Sequence, residues 1–96
     1  VVEFVVARGK ADPNAVFAGS VPYLMLAGTT VAGWQMARAL IAAEDRLAAG
    51  EDAGFMRAKT VTARFYADHV LNKVPALRDS IVEGADAVTA LPLEAF

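Results

Sequence analysis

The chain has 96 residues, of which 56% are hydrophobic and 21% are charged, and its formal net charge at pH 7 is −2. Such a length gives room for one small core, and the charge excludes the strongly basic surface that nucleic acid or an anionic membrane selects. The chain has no cysteine, which excludes a disulfide framework and a thiolate site. Because soluble domains are on average about 45–50% apolar, this chain carries more apolar surface than a small free-standing domain needs.

The first eight residues are rich in β-branched side chains, but apolar and polar positions do not alternate there. No second strand candidate of like quality follows, so a strand here has no partner. We therefore predict the last two turns of a helix, with Gly9 as the C′ residue. The segment also lacks a basic leader before its apolar run, so we expect no signal peptide and a cytoplasmic protein.

Residues 13–37 carry no formal charge, and the chain is organised around them. Asp12-Pro13 is a helix start signal, because Asp accepts hydrogen bonds from free amides and Pro suits the first helical position. We predict a helix from there to about Ala49, either kinked at Pro22 or restarted with Ser20 as a new N-cap. A helix that is apolar nearly all round must be buried, either in protein or in a membrane.

Two glycines lie inside this helix, although each costs about 1 kcal/mol relative to alanine. Small residues surround Gly28 and Gly33, so they allow another backbone to come close, and Trp34 adds a large apolar side chain. The apolar side chains point in several directions, whereas a hairpin partner covers one side. Because contiguous exposed apolar patches usually mark binding surfaces, we predict an interface formed by Leu24, Gly28, Val31, Gly33 and Trp34.

Gly50 ends the first long helix, and we predict Asp52 as the N-cap of a second helix over residues 53–83. Its apolar positions repeat every seven residues and form a packing seam. One row is Met56, Ala63, Val70 and Leu77, and the other is Thr60, Ala67, Val74 and Ile81. Pro75 should bend or divide the helix. Gly84 is expected as its C′ residue, and the tail allows one more short helical turn.

The predicted fold class is therefore all-α. We expect an antiparallel hairpin of two long helices in a small helical bundle, with short helical pieces at both ends. No internal repeat, linker or domain boundary is evident, so residues 1–96 are predicted to form a single helical domain. Since the chain does not begin with Met, we expect a C-terminal fragment of a larger protein.

Few side chains could carry chemistry. His69 is the single histidine, and it lacks the reacting group and orienting partner that a general base needs. Glu44, Asp45, Glu51 and Asp52 cluster near the hairpin turn, but a di-metal bundle needs inward Glu-x-x-His motifs. Both features are interpreted as surface or capping groups, and no catalytic, cofactor-binding or metal-binding residue is predicted.

Two further features leave alternatives open. Arg57, Lys59 and Arg64 form a basic group at the start of the second helix, which is either a solvated face or a contact for an acidic partner or a ligand phosphate. The uncharged residues 13–37 are long enough to span a membrane, but they are rich in Ala, Gly, Thr and Pro, which favour insertion weakly. A membrane-associated hairpin is therefore the least favoured hypothesis.

Two ordered blocks of residues resemble the C-terminal extension domain in a subgroup of larger bacterial acyl-CoA dehydrogenases. The first block is Tyr23-Leu24, Gly28, Gly33-Trp34 and Ala37-Arg38-Ala39; the second is Phe55-Met56-Arg57-Ala58-Lys59 followed by Thr62-Ala63-Arg64-Phe65-Tyr66. Gly84-Ala85 and Glu94-Ala95-Phe96 resemble the close of the same domain. The resemblance covers nearly the whole chain.

The resemblance implies a helical domain at the end of an FAD-dependent oxidoreductase of fatty acid metabolism. In that family a Glu carboxylate removes the α-proton of an acyl-CoA and a hydride passes to the flavin, and those groups lie in the upstream core. The implied partners are this dehydrogenase core, further subunits of a homo-oligomer and, in the full enzyme, acyl-CoA and FAD. The fragment alone is expected to bind no cofactor and to be inactive. A stand-alone helical interaction module is the main alternative.

Overall fold

The computed structural model describes all 96 residues and contains helices and no strand. The helices are α1 (Val2–Arg8), α2 (Pro13–Ala18), α3 (Ser20–Ala48), α4 (Ala53–His69), α5 (Val74–Val82) and α6 (Ala85–Val88). Two 3-10 turns lie at Leu71–Lys73 and Leu93–Ala95. The predicted all-α class is confirmed, with α3 and α4 as the long helices of a hairpin and short helical pieces at both ends.

The chain divides into two compact units. The end unit consists of Val1–Ala27 and Pro75–Phe96, and the hairpin unit consists of Gly28–Val74. The end unit therefore brings the two termini of the sequence together, whereas the hairpin unit is continuous. The single domain proposed from the sequence stays a prediction.

In the end unit, α2 begins as the sequence indicated. The Asp12 side chain accepts a hydrogen bond from the Ala15 amide at 3.3 Å, and Pro13 takes the first helical position. The long helix then restarts rather than kinks, since α2 ends at Ala18 and α3 begins at Ser20. Pro22 has no amide that could bond the carbonyl of Ala18, four residues earlier. The break therefore falls one turn before the proline.

Ser20 does not cap the new helix in the predicted way. It is the first residue of α3, and its hydroxyl donates a hydrogen bond at 2.8 Å back to the carbonyl of Phe17. The Tyr23 amide bonds the carbonyl of Gly19 at 2.8 Å, so Gly19 stands at the cap position. Pro22 consequently lies in the first turn of α3, where its missing amide leaves no helical bond unmade.

The core of the end unit is small. Ile81 of α5 is 1% exposed, and Ala15 and Ala85 are also buried in this unit. Ile81 packs on Gly19, where an added Cβ would stand 3.1 Å from the Ile81 Cγ2 atom. Because glycine has no Cβ, the break between α2 and α3 becomes the surface on which α5 rests.

Arg8 ties the end of α1 to two other helices. Its guanidinium lies 3.1 Å from the Asp12 carboxylate and 3.4 Å from that of Asp86. The hydrogen bond to Asp12 is the main cause that raises the pKa of Arg8 above its ordinary value, and Asp86 adds to it. Since all three groups are largely solvated, this network contributes orientation more than stability.

The hairpin unit turns at residues 49–52, and its first half matches the prediction. Gly50 has φ +74°, the left-handed conformation of a C′ residue. The Gly50 amide bonds Leu47 at 3.0 Å and the Glu51 amide bonds Arg46 at 2.9 Å, which together form a Schellman motif. The carbonyls at the end of α3 are thereby satisfied within the turn.

The second half of the turn corrects the sequence analysis. Asp52 precedes α4, but it has φ 44° and its side chain makes no capping hydrogen bond. An N-cap side chain reaches the free amides from an extended backbone, and the short left-handed turn denies Asp52 that conformation. The amides at the start of α4 therefore have no side-chain acceptor from this residue.

The predicted seam of α4 faces α3 within the hairpin unit. Met56 and Ala63 of the seam are buried, and Ala43 is the buried residue of α3. The second row is less complete, since Ala67 is exposed. Alanines at these positions bring two helices close together without filling the space beside them.

Pro75 divides the second long helix, but the division falls upstream of it. The helix α4 ends at His69, a 3-10 turn occupies Leu71–Lys73, and α5 starts at Val74. Leu71 is the residue whose carbonyl Pro75 cannot bond, and the backbone departs from the helix just before it, at Val70 with φ −119°. As at Pro22, the break precedes the proline by about one turn.

Gly9 and Gly84 end helices without the left-handed conformation of a C′ residue. Gly9 has φ −60° and Gly84 has φ −87°, and both lie in the right-handed region. An added Cβ at Gly84 would stand 2.6 Å from the backbone oxygen of Ser80. Steric crowding against the preceding turn, rather than a positive φ, therefore selects glycine at this position.

Tyr66 fastens α4 to α3 inside the hairpin unit. Its hydroxyl donates a hydrogen bond to the Thr29 carbonyl at 2.6 Å, and an added Cβ at Gly33 would stand 3.5 Å from its ring. The same Cβ would stand 2.9 Å from Leu71 Cδ1, so side chains of the same chain, and not the backbone expected from the sequence, come close at Gly33. Gly33 allows these two side chains to cover α3.

We expect Tyr66→Phe to lower the free energy of unfolding by about 1 kcal/mol, the net contribution of a typical hydrogen bond. The aromatic ring and its packing on α3 remain, so the loss isolates the hydroxyl. Tyr23→Phe is the matched control, since Tyr23 is the other tyrosine and its hydroxyl has no protein partner. Urea unfolding followed by circular dichroism measures both, and equal losses would show that the bond to Thr29 is not stabilising.

Candidate interaction surface

The long helix α3 leaves most of its apolar side chains in solvent. Of its 29 residues only Ala43 is buried. In the end unit Leu24 is 70% exposed, and in the hairpin unit Trp34 is 59% exposed. The sequence predicts that residues 13–37 are buried, but apart from Ala43 no apolar side chain of α3 is buried by another part of the chain.

The five residues of the predicted interface do not all face the same way. Leu24, Val31 and Trp34 are exposed, and nothing lies within 4 Å of a Cβ added at Gly28. Gly33 instead faces the packed side of α3, under Leu71 and Tyr66. The structure therefore places Gly33 in the contact between α3 and α4, whereas Leu24 is exposed in the end unit and Gly28, Val31 and Trp34 are open in the hairpin unit.

Trp34 carries a charged neighbour on its exposed ring. The Arg38 guanidinium lies 5.3 Å from the centroid of the ring, within the range of a cation–π contact. An Arg38 hydrogen bond to the Gln35 side chain, at 3.5 Å, holds the guanidinium on the same helix. An apolar ring with a cation over its face has the composition common in the centre of protein interfaces.

Two grooves run beside the packed seam of the hairpin unit. The first, the mixed groove, has a volume of about 420 Å³ and is lined by Leu40, Glu44, Thr60, Val61, Ala63, Arg64 and Ala67. The second, the cationic groove, has a volume of about 180 Å³ and is lined by Ala39, Ala42, Ala43, Arg46, Phe55, Met56 and Lys59. Small side chains along the seam leave both spaces open.

The basic group expected at the start of α4 does not form one site, since Arg64 and Lys59 line different grooves and Arg57 lines neither. Arg64 lines the mixed groove together with Glu44, and it forms a salt bridge with Asp68 at 2.9 Å. Lys59 lines the cationic groove, where its ammonium lies 5.5 Å from the centroid of the Phe55 ring. The three cations are therefore not one anion site, and Lys59 stands apart from Arg64.

The other candidates for chemistry are also placed. His69 is exposed, and its ring stacks on Phe65 with centroids 4.6 Å apart. The carboxylates near the hairpin turn do not approach one another as a metal-binding group would. None of the helices, α3 included, combines the length and hydropathy that a membrane crossing requires.

A third groove lies in the end unit. It has a volume of about 220 Å³, and its lining includes Val16, Phe17, Tyr23 and Ile81. Its walls are almost entirely apolar, and the lining contains no charged residue. The geometry suits packing against another apolar surface rather than chemistry.

Comparison with known proteins identifies the family to which the chain belongs. Residues 1–92 match the family model described as "Acetyl-CoA dehydrogenase C-terminal like". The chain belongs to this family of acyl-CoA dehydrogenase C-terminal domains, and the resemblance found in its sequence motifs is confirmed.

A curated relative makes the relationship more specific. The chain is 39% identical over 92 residues to 3-methylmercaptopropionyl-CoA dehydrogenase of Ruegeria pomeroyi. The aligned part is 96% of this chain and 16% of the relative, so the chain spans about one sixth of that protein's length. No solved structure matches the chain.

Sequence reasoning missed the position of Arg46 and the exposure of the tail. The sequence places Arg46 in no basic group, yet it lines the cationic groove together with Lys59. Leu93 and Phe96 are 83% and 92% exposed, the highest values among the large hydrophobic residues. The composition of the tail is the feature that could have drawn attention to it, since residues 79–96 contain four acidic residues and no Lys or Arg.

Proposed function

We propose that this chain is the C-terminal helical domain of an FAD-dependent acyl-CoA dehydrogenase and that its role there is structural. It supports the dehydrogenase core of the same chain and contacts a neighbouring subunit of a homo-oligomer. The observation that carries this proposal is the exposed apolar surface of α3, with Leu24, Gly28, Val31 and Trp34 open to solvent. Extensive exposed apolar surface usually marks a site of protein contact.

In this proposal the domain supplies no catalytic residue. FAD and acyl-CoA are bound by the rest of the enzyme, which acts in fatty acid metabolism in the cytoplasm. The share of the relative that the chain covers supports this division, because 16% of its length is aligned here and the remainder is available for a catalytic core. Flavin chemistry needs a bound isoalloxazine ring and a positioned base, and His69 is occupied in a stack with Phe65.

The test is a charge placed on the exposed surface of α3 in the full-length dehydrogenase that carries this chain. We expect Leu24→Glu combined with Val31→Glu to dissociate the oligomer or release the domain, because a buried unpaired carboxylate is costly. Light scattering should show a lower molar mass, or limited proteolysis should release the domain at least about tenfold faster. A tenfold change corresponds to a loss of about 1.4 kcal/mol in the free energy of the contact.

Val61→Glu is the matched control, because Val61 is 68% exposed on α4 and lies away from α3's open side. It should leave both measurements unchanged. Flavin absorption serves as a second readout and should persist in all variants if the core folds. Unchanged mass and unchanged proteolysis in the double variant would show that α3 contacts neither the core nor a subunit.

A further inference from the structure

The cationic groove has a distinct chemistry. Three alanines of α3 line it together with Phe55 and Met56 of α4. Arg46 and Lys59 also line it, and neither takes part in any of the salt bridges of the chain. No acidic residue lines it, whereas the mixed groove on the other side of the seam contains both Glu44 and Arg64. The cationic groove thus suits an apolar side chain accompanied by a carboxylate.

The tail of the same chain has the complementary composition. Asp79 and Glu83 are paired with Arg78, and Asp86 with Arg8, which leaves Glu94 as the carboxylate of residues 79–96 without a cation. The 3-10 turn Leu93–Ala95 carries Glu94 at its centre. Positions three apart lie on the same side of a 3-10 helix, so Leu93 and Phe96 share a side with no cover in the chain.

We propose that the cationic groove of one copy binds the tail, residues 93–96, of a second copy. The apolar side formed by Leu93 and Phe96 lies against Phe55 and the lining alanines of α3, and the Glu94 carboxylate meets Arg46 and Lys59. The apolar contact supplies most of the affinity, whereas the charges set the orientation of the tail. The groove's volume of about 180 Å³ suits a side chain or two rather than a helix.

A second copy fits better than other occupants because both halves of the contact are present in one sequence. Each copy has one tail and one groove, so a two-fold pair makes the contact twice, as isologous dimers do. The charge contrast supports the pairing, since the groove is lined by two cations and the tail segment beyond Arg78 contains none. This inference does not depend on the proposed dehydrogenase function, because it uses neither Leu24 nor Val31.

The absence of cysteine from the chain allows a direct test. Ala42→Cys places a thiol in the lining of the groove, and Ala95→Cys places one in the tail while keeping Leu93, Glu94 and Phe96. The two single variants are mixed under mild oxidation, so a disulfide between them can form only between copies. We expect the heterodimer at a yield at least about fivefold above that of Ala95→Cys mixed with Val61→Cys, whose thiol lines the mixed groove.

A charge exchange separates docking from random collision. Lys59→Glu in the Ala42→Cys chain should lower the yield to the control level, and Glu94→Lys in its Ala95→Cys partner should restore it. Leu24→Glu in both chains should leave the yield unchanged, which keeps this result independent of the α3 surface. Equal yields with Ala42→Cys and Val61→Cys, or a yield insensitive to Lys59→Glu, would overturn the proposal. Circular dichroism of each variant confirms that the fold is retained.

Discussion

Replacing Ile81 with alanine is expected to lower the free energy of unfolding by about 2–5 kcal/mol, the range for truncating a fully buried isoleucine. Ile81 is the largest side chain that the chain buries completely, and it packs on Gly19. The other buried hydrophobic residues of the end unit, Ala15 and Ala85, are too small to fill the cavity that the mutation leaves. Since a small protein is stabilised by about 5–15 kcal/mol in total, this single change should remove a large share.

Ile41→Ala is the matched control, because Ile41 and Ile81 are the two isoleucines of the chain and Ile41 is 61% exposed on α3. Its loss should stay within about 0.5 kcal/mol, as for surface substitutions in general. Urea unfolding gives both values, and amide hydrogen exchange locates the effect of Ile81→Ala in α2 and α5. Similar losses for the two variants would mean that Ile81 is not the centre of the end unit's core.

The heptad seam shows what periodicity alone could establish. Met56, Ala63 and Ile81 were assigned to the seam from their spacing, and all three are buried. The spacing did not reveal that α4 ends at His69 and that Ile81 belongs to a separate helix. Pro22 and Pro75 each interrupt the helix about one turn upstream, at Gly19 and near Val70. The reason is that a proline removes the hydrogen bond to the carbonyl four residues earlier.

The interface residues show what helix geometry could have added. Gly28 and Val31 follow Leu24 by four and seven residues, so at 3.6 residues per turn the three lie within about 60° of one another around the helix. Gly33 comes five residues after Gly28 and is turned by about 140° from it. The sequence therefore contained the reason why Gly33 packs under Leu71 while Gly28 stays open.

Other features could not be predicted, because they depend on contacts between separate segments. The cap expected at Asp52 fails because the tight turn after Gly50 forces φ 44° on it. The cationic groove joins Arg46 and Lys59, which lie on different helices, and only the antiparallel pairing of α3 with α4 brings them together. Exposure of Trp34 follows from the lack of any element that covers that side of α3.

Gly84→Ala is expected to destabilise the chain by about 1–3 kcal/mol, the cost of forcing extra atoms into a tightly packed position. The new methyl group would stand 2.6 Å from the backbone oxygen of Ser80. A backbone oxygen cannot rotate away as a side chain can, so the junction between α5 and α6 must open. The buried Ala85 follows directly in the chain, and its packing in the end unit should loosen with it.

Gly28→Ala is the contrasting substitution and should have the opposite sign. No atom lies within 4 Å of the new methyl group, and Gly28 is inside a helix, so alanine should stabilise the chain by about 0.5–1 kcal/mol. Thermal unfolding of the 96-residue chain measures both variants. In the full-length protein that carries this chain, the same methyl group should weaken the contact that Gly28 is proposed to allow. A Gly28→Ala variant that stabilises the chain and leaves the oligomer intact would show that no partner approaches α3 at this position.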